Sequence, residues 1–83
     1  MTTIDQVRTI LRDTLNLGDR AGTLTATSRL LGSIPEFDSM AVVTVLTMLE
    51  EQFGIAVDDD EVSADVFETL GSLTEFVDRK LGA

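Results

Sequence analysis

Apolar residues recur three and four positions apart near the start of the chain, which is the spacing of an amphipathic helix. The pattern predicts a helix over residues 3–16, with Thr3 and Gln6 at capping-box spacing and Gly18 as the stop signal. Its apolar stripe consists of Ile4, Val7, Leu11 and Leu15, and Ile10 widens it. This first helix is therefore predicted to bury one face against the rest of the protein.

A second amphipathic stretch lies near the end of the sequence. It predicts a last helix that begins between residues 70 and 72 and ends near residue 81, with Ser72 and Glu75 at capping-box spacing and Gly82 as the stop. An acidic turn over residues 58–61 precedes it, and Ser63 is a candidate cap for a short helix near residues 64–68. The apolar face of the last helix consists of Leu73, Phe76, Val77 and Leu81.

The most apolar stretch, MAVVTVLTML, covers residues 40–49 and suits a buried strand as well as a helix, because it contains three valines. Its length decides between them, since the fifteen residues 39–53 contain no glycine or proline and exceed a typical strand. Thr44, Thr47 and Glu51 also share one polar stripe at helical spacing. We predict a helix over residues 39–53 that is buried over most of its circumference and ends at Gly54.

Glycine and proline punctuate the long connection between the first two helices, residues 18–37. TSRLL, residues 27–31, is expected to form one helical turn. The apolar residues expected to pack onto the core from this connection are Leu24, Leu30, Leu31, Ile34 and Phe37. Eight further residues are expected to be core: Val43, Leu46, Leu49, Phe53, Ile55, Val66, Phe67 and Phe76.

Together these elements predict an all-α fold, a four-helix bundle with three longer helices, a short third helix and a long loop between helices one and two. The 83 residues suffice for a single domain, spanning 1–83. The chain has no cysteine and no histidine, which excludes Ser–His and Cys–His catalysis and metal sites built from these residues. We expect no metal site and no enzymatic activity.

The net charge of −9 would repel nucleic acid and anionic membranes and attract basic protein partners. No apolar run reaches the roughly 18 residues of a membrane span, so no stable membrane insertion is expected. The start, MTTIDQVRTILRDTL, lacks the basic leader and apolar run of a signal peptide. We expect a cytoplasmic monomer.

Ser39, between Asp38 and the apolar run, allows two interpretations. Either Asp38 or Ser39 caps the helix, because both residue types accept hydrogen bonds from the free N–H groups of a helix start. Alternatively, Ser39 is presented for covalent modification. Under the first interpretation the protein is an acidic helical interaction module, such as a regulator or nucleic-acid mimic, and Ser39 only caps the helix.

Three segments, in order, carry a resemblance to a known family. DSM (38–40) resembles the D-S-L motif of the acyl carrier proteins, LEEQFGI (49–55) resembles their L-E-E-x-F-G-I segment, and TLGSLTEFV (69–77) is similar to their T-V-G-D-L-V-x-Y-I stretch. An acidic turn separates the last two segments, and a long loop with apolar residues precedes all three. Each segment is a weak signal alone, but their order and spacing combine into a strong one.

The resemblance implies that Ser39 carries a 4′-phosphopantetheine arm, attached from coenzyme A by a phosphopantetheinyl transferase with magnesium. The arm would hold acyl groups as thioesters for acyl-loading and acyl-accepting enzymes of fatty acid or polyketide biosynthesis. Asp38 would assist recognition by the transferase. By the same resemblance, Met40, Glu50 and Glu51 are candidates for contacts with basic partner surfaces, although acids on a helix are often only a solvated face.

The sequence departs from the family pattern in three respects. Ala41 stands where an acid is frequent, Thr44 likewise, and Glu36 and Phe37 replace a usual glycine before the serine. The start of the recognition helix is therefore less acidic than in a typical fatty-acid-synthesis carrier. This difference favours a specialised stand-alone carrier in a secondary or surface-polymer pathway.

Overall fold

The computed structural model describes residues 2–30 and 37–82. Over these residues the chain forms three α-helices and two short 3₁₀ helices, and no strand: α1 (Thr3–Leu15), α2 (Ser39–Phe53), α3 (Leu70–Lys80), and 3₁₀ helices at Gly18–Thr23 and Asp59–Glu61. An isolated bridge pairs Arg29 with Thr69. Helix α1 packs against both α2 and α3. The prediction of an all-α bundle is confirmed.

Helix α1 begins and ends close to the expected positions, but its caps differ. The Thr2 hydroxyl, not that of Thr3, accepts a hydrogen bond from the Asp5 N–H at 3.3 Å. At the other end Asn16 takes the left-handed conformation, with φ 57°, and its N–H donates to the Arg12 carbonyl. The predicted Thr3–Gln6 box and Gly18 stop are therefore wrong, because Thr2 and Asn16 already satisfy the two ends.

Helix α2 has the predicted bounds, and Gly54 ends it in the left-handed conformation with φ 66°. The prediction of burial around most of its circumference is wrong. Only Val45 and Leu49 are buried, while Met40 is 74% exposed and Val43 is 59% exposed. The bundle covers one side of α2, so Val43, expected in the core, lies outside it.

The core is continuous through all three helices and the connections between them. The expected residues Leu49, Val66, Phe67 and Phe76 are buried, Leu46 and Phe53 pack partly buried against them, and Ile55 is half-buried. Of the connection residues, Leu30 and Phe37 are buried and Leu24 is partly buried, whereas Leu31 and Ile34 lie outside the described residues. The ring centroids of Phe37 and Phe67 are 5.5 Å apart, so the segment just before α2 packs against the segment just before α3.

The end of the described connection runs along the start of α3. The N–H of Leu30 donates to the Glu68 carbonyl at 3.0 Å, that of Leu70 to Ser28 at 3.0 Å, and that of Gly71 to Ala26 at 2.8 Å. A helical turn over residues 27–31 is therefore wrong for its described part, because these backbone groups pair with the distant segment instead. In the part of the connection that the structure describes, the helical stretch is Gly18–Thr23.

The segment before α3 forms successive turns where a short helix was expected. The N–H groups of Val66, Phe67 and Glu68 donate to the carbonyls three residues earlier, at 3.1, 3.2 and 3.4 Å. Ser63 contributes its carbonyl to the first of these bonds. Helix α3 then starts at a reciprocal capping box of Thr69 and Ser72, one turn before the predicted Ser72–Glu75 pair.

Candidate functional site

Asp38 caps helix α2. Its backbone is extended, its Oδ1 accepts a hydrogen bond from the Ala41 N–H at 2.9 Å, and its carbonyl accepts one from Val42 at 3.0 Å. Both bonds are those of an N-cap residue that precedes the first helical turn. Of the two capping candidates, the structure selects Asp38.

Ser39 is the first residue of α2, and it is exposed. Its hydroxyl makes no hydrogen bond to any described residue, since the neighbouring Asp38 performs the capping. The N–H groups of Ser39 and Met40 also have no acceptor among the described residues. A phosphate attached to Ser39 would meet these free donors and the positive end of the helix dipole. The residues present therefore fit a phosphate-linked group.

Met40 lies beside Ser39 and is among the most solvent-accessible apolar residues of the described chain, at 74% exposure. Asp38, Ser39 and Met40, the three residues of the motif, all lie exposed at the start of α2.

Glu50 and Glu51 lie at the opposite end of α2, roughly 17 Å along the axis from Ser39 at 1.5 Å per residue. Glu51 is exposed, but Glu50 is half-buried and its Oε2 accepts a hydrogen bond from the Val57 N–H at 2.8 Å. The carbonyl of Glu50 accepts further bonds from Gly54 and Ile55. Glu50 therefore fixes the chain after α2, a task that nothing in the sequence signalled.

Glu61, in the acidic segment, is held by two neighbours. Its Oε1 accepts a hydrogen bond from the Asp58 N–H at 3.0 Å, and both carboxylate oxygens lie 2.9 Å from Lys80 Nζ. The Asp58 N–H, and after it Lys80, lower the pKa of Glu61 below its ordinary value of 4.5. Within residues 2–30 and 37–82, no cluster of acidic side chains has the arrangement of a metal site.

Comparison with known proteins decides the family. The family model described as phosphopantetheine attachment site matches residues 5–77. A holo acyl carrier protein from Nitrosomonas europaea, solved in solution by NMR, is 63% identical, with all of both chains covered and a TM-score of 0.92. The chain belongs to the acyl carrier protein family. A search of curated proteins returned no match.

The carrier protein is therefore not an enzyme, and its prosthetic group is 4′-phosphopantetheine. It works with phosphopantetheinyl transferases and with enzymes that handle acyl groups, as carrier proteins do in general. Among its described helices, none is long and apolar enough to cross a membrane. The resemblance seen in the three sequence segments is confirmed.

Proposed function

We propose that Ser39 is the attachment point of 4′-phosphopantetheine in this carrier protein. The observation that supports it most directly is the exposed hydroxyl at the first residue of α2, which bonds to no described residue, in a chain of the acyl carrier family. Asp38 caps the helix, so the modification of Ser39 removes no hydrogen bond from the described fold. The N–H groups of Ser39 and Met40, which have no acceptor among the described residues, favour the phosphate that results.

In the loading step, the Ser39 oxygen attacks the β-phosphorus of the coenzyme A pyrophosphate. A phosphodiester bond to Ser39 forms, the pyrophosphate bond breaks, and 3′,5′-ADP leaves. The base that takes the serine proton belongs to the transferase, because this chain has no histidine and the neighbouring Asp38 carboxylate binds the Ala41 N–H as the helix cap. The bound arm supplies a terminal thiol that carries acyl groups as thioesters.

The test is incubation of the apo-protein with coenzyme A, magnesium and a broad-specificity transferase. The intact mass should rise by the mass of one phosphopantetheine, roughly 340 Da, and Ser39→Ala should abolish the rise. Ser63→Ala, which removes another exposed serine, is the matched control and should load fully. A mass gain that persists in Ser39→Ala would assign the attachment to another residue.

The alternative, an acidic interaction module in which Ser39 only caps α2, is not favoured. The cap bond is made by Asp38, which leaves Ser39 without the role that this alternative requires. The alternative predicts that the unchanged protein gains no mass and that Ser39→Asn keeps full function, whereas attachment at Ser39 predicts that the unchanged protein gains mass and that Ser39→Asn does not. Intact mass of both proteins after the same incubation separates the two.

Around this site we propose a single carrier domain over residues 1–83 that acts as a monomer in the cytoplasm. Asp38 contributes to recognition by the transferase, and Met40 and Glu51 contact partner enzymes, whose basic surfaces the net charge of −9 attracts. Glu50 contributes charge more than direct contact, since its carboxylate binds the Val57 N–H. The less acidic start of α2 supports a specialised pathway rather than general fatty acid synthesis.

A further inference from the structure

The side chains that a mild oxidant can attack are few in this chain. The sequence contains no cysteine, histidine, tryptophan or tyrosine, and it has three methionines. Peroxides oxidise the sulfur of thiols and thioethers, so methionine is the side chain that they attack before the arm is attached. Met40 and Met48 lie in the described part of the chain, and Met1 lies outside it.

The two described methionines differ in their surroundings. Met40 is 74% exposed and does not belong to the core or to the side chains packed against it. Met48 is 37% exposed and lines a cleft between α1 and α2, beside Ile10. A thioether in open solvent is oxidised more readily than one in a cleft. Because Met40 makes no core contact, we expect the fold to tolerate its oxidation.

The position of Met40 gives its oxidation a consequence. Met40 follows Ser39 directly on the first turn of α2, and it stands where the D-S-L motif has leucine, which has no sulfur to oxidise. Met48 comes nine residues after Ser39, about 14 Å along the axis at 1.5 Å per residue. A change of polarity at Met40 is therefore made beside the hydroxyl that is loaded, whereas a change at Met48 is remote from it.

We propose that Met40 is a reversible oxidation site through which peroxide slows the loading of Ser39. The proposal rests on Ser39 as the attachment point. In the oxidation, a lone pair of the Met40 sulfur attacks one oxygen of hydrogen peroxide, the O–O bond breaks and an S–O bond forms. The departing hydroxide takes the proton of the transferred oxygen and leaves as water. The sulfur is oxidised by two electrons, and the peroxide is reduced by the same two.

The sulfoxide replaces an apolar thioether by a strongly polar group. An enzyme that reaches Ser39 covers the first turn of α2 and removes water from that group, which is unfavourable unless a hydrogen bond replaces the water. Ser39 itself is unchanged, and reduction of the sulfoxide restores the thioether. The oxidation of Met40 therefore weakens the encounter with the transferase and leaves the nucleophile intact.

The first measurement locates the oxidation. The apo-protein is treated with hydrogen peroxide, catalase stops the reaction, and tandem mass spectrometry follows the gain of one oxygen atom at each methionine. Met40 should be oxidised roughly twice as fast as Met48, in line with their exposed fractions of 74% and 37%. Equal rates at the two residues, or faster oxidation of Met48, would overturn the proposal.

Two matched variants then test the consequence for loading. Met48→Leu keeps the thioether beside Ser39, and Met40→Leu keeps the remote one. Each variant is compared with itself before and after peroxide, in steady-state loading with coenzyme A and a broad-specificity transferase. Peroxide should raise the KM of Met48→Leu about fivefold and should leave the KM of Met40→Leu at its value before treatment. An equal effect in both variants, or no effect in Met48→Leu, would overturn the proposal.

Methionine sulfoxide reductases A and B, one for each sulfoxide epimer, test whether the oxidation is reversible. Together they should return the KM of peroxide-treated Met48→Leu to its value before treatment, and a defect that persists would contradict a reversible site. Failure of the attachment proposal is seen separately, in the untreated protein. If that protein gains no mass even with excess transferase, Ser39 is not the attachment point, and the effect of Met40 on loading is overturned with it.

Discussion

At the scale of single residues, the site depends on which of Asp38 and Ser39 caps α2 and which keeps an exposed side chain. Both residue types are good helix caps, so the sequence could place a cap at this dipeptide but not choose between them. The choice depends on backbone dihedrals: Asp38 is extended, with φ −105° and ψ −172°, while Ser39 is already helical. The capping carboxylate is therefore one residue before the helix, and the adjacent hydroxyl remains available.

Replacement of Asp38 separates capping from charge. Asp38→Ala loses the bond from the Ala41 N–H and should lower the free energy of unfolding by about 1 kcal/mol. Asp38→Asn keeps an oxygen acceptor and should retain most of the stability. Urea unfolding followed by circular dichroism measures both. An equal loss of stability in the two variants would contradict the capping role. A loading defect in Asp38→Asn, which keeps the cap but loses the charge, would assign transferase recognition to the charge.

The contacts of Glu61 predict that the stability of the fold depends on pH in the acidic range. Its pKa is lowered in the folded protein by the Asp58 N–H and then by Lys80, so its carboxylate stabilises the fold at pH values above its ordinary pKa of 4.5. This contribution is lost as the pH falls from that value through the lowered pKa. Unfolding free energies of Glu61→Gln and the unchanged protein should therefore converge on acidification. Glu75→Gln, at an exposed position on α3, is the control substitution.

At the scale of elements, apolar spacing predicted all three α-helices, and length assigned α2 correctly against a strand. The errors have two physical sources. Caps depend on the dihedrals of single residues, so the observed caps, Thr2, Asn16 and Thr69, differ from the predicted caps. The burial of α2 was overestimated because its apolar composition was taken as core, although a bundle this small covers only one side of the helix.

The start of α3 depends on a glycine. A Cβ on Gly71 would lie 2.7 Å from the Ala26 carbonyl oxygen, which also accepts the Gly71 N–H at 2.8 Å. Gly71→Ala must therefore displace the segment that precedes Leu30, at a cost of about 1–3 kcal/mol in the free energy of unfolding. Gly22→Ala meets nothing within 4 Å and is the matched control, with no expected loss. Urea unfolding compares them, and equal stability of both variants would contradict the close approach.

At the scale of the whole molecule, the charges are unevenly distributed along the chain. Residues 1–30 carry four bases and three acids, a net charge of +1, whereas residues 31–83 carry two bases and twelve acids, a net charge of −10. The sequence gives these totals, and it predicted the helical class. It could not predict the pairing of residues 26–30 with residues 68–71, because that contact joins backbone groups 38 to 45 residues apart and depends on no side-chain pattern.

This charge distribution predicts that low concentrations of salt stabilise the carrier protein. Repulsion among the acids of residues 31–83 opposes the compact state, and raising NaCl from about 10 to about 150 mM shortens the screening length from about 30 to about 8 Å. The urea midpoint should therefore rise over this range. The double variant Asp60→Asn, Asp65→Asn changes exposed acids and reduces the net charge from −9 to −7, so its midpoint should rise less. A midpoint that falls with salt, or an equal response of the variant, would show that attractive pairs such as Lys80–Glu61 outweigh the repulsion.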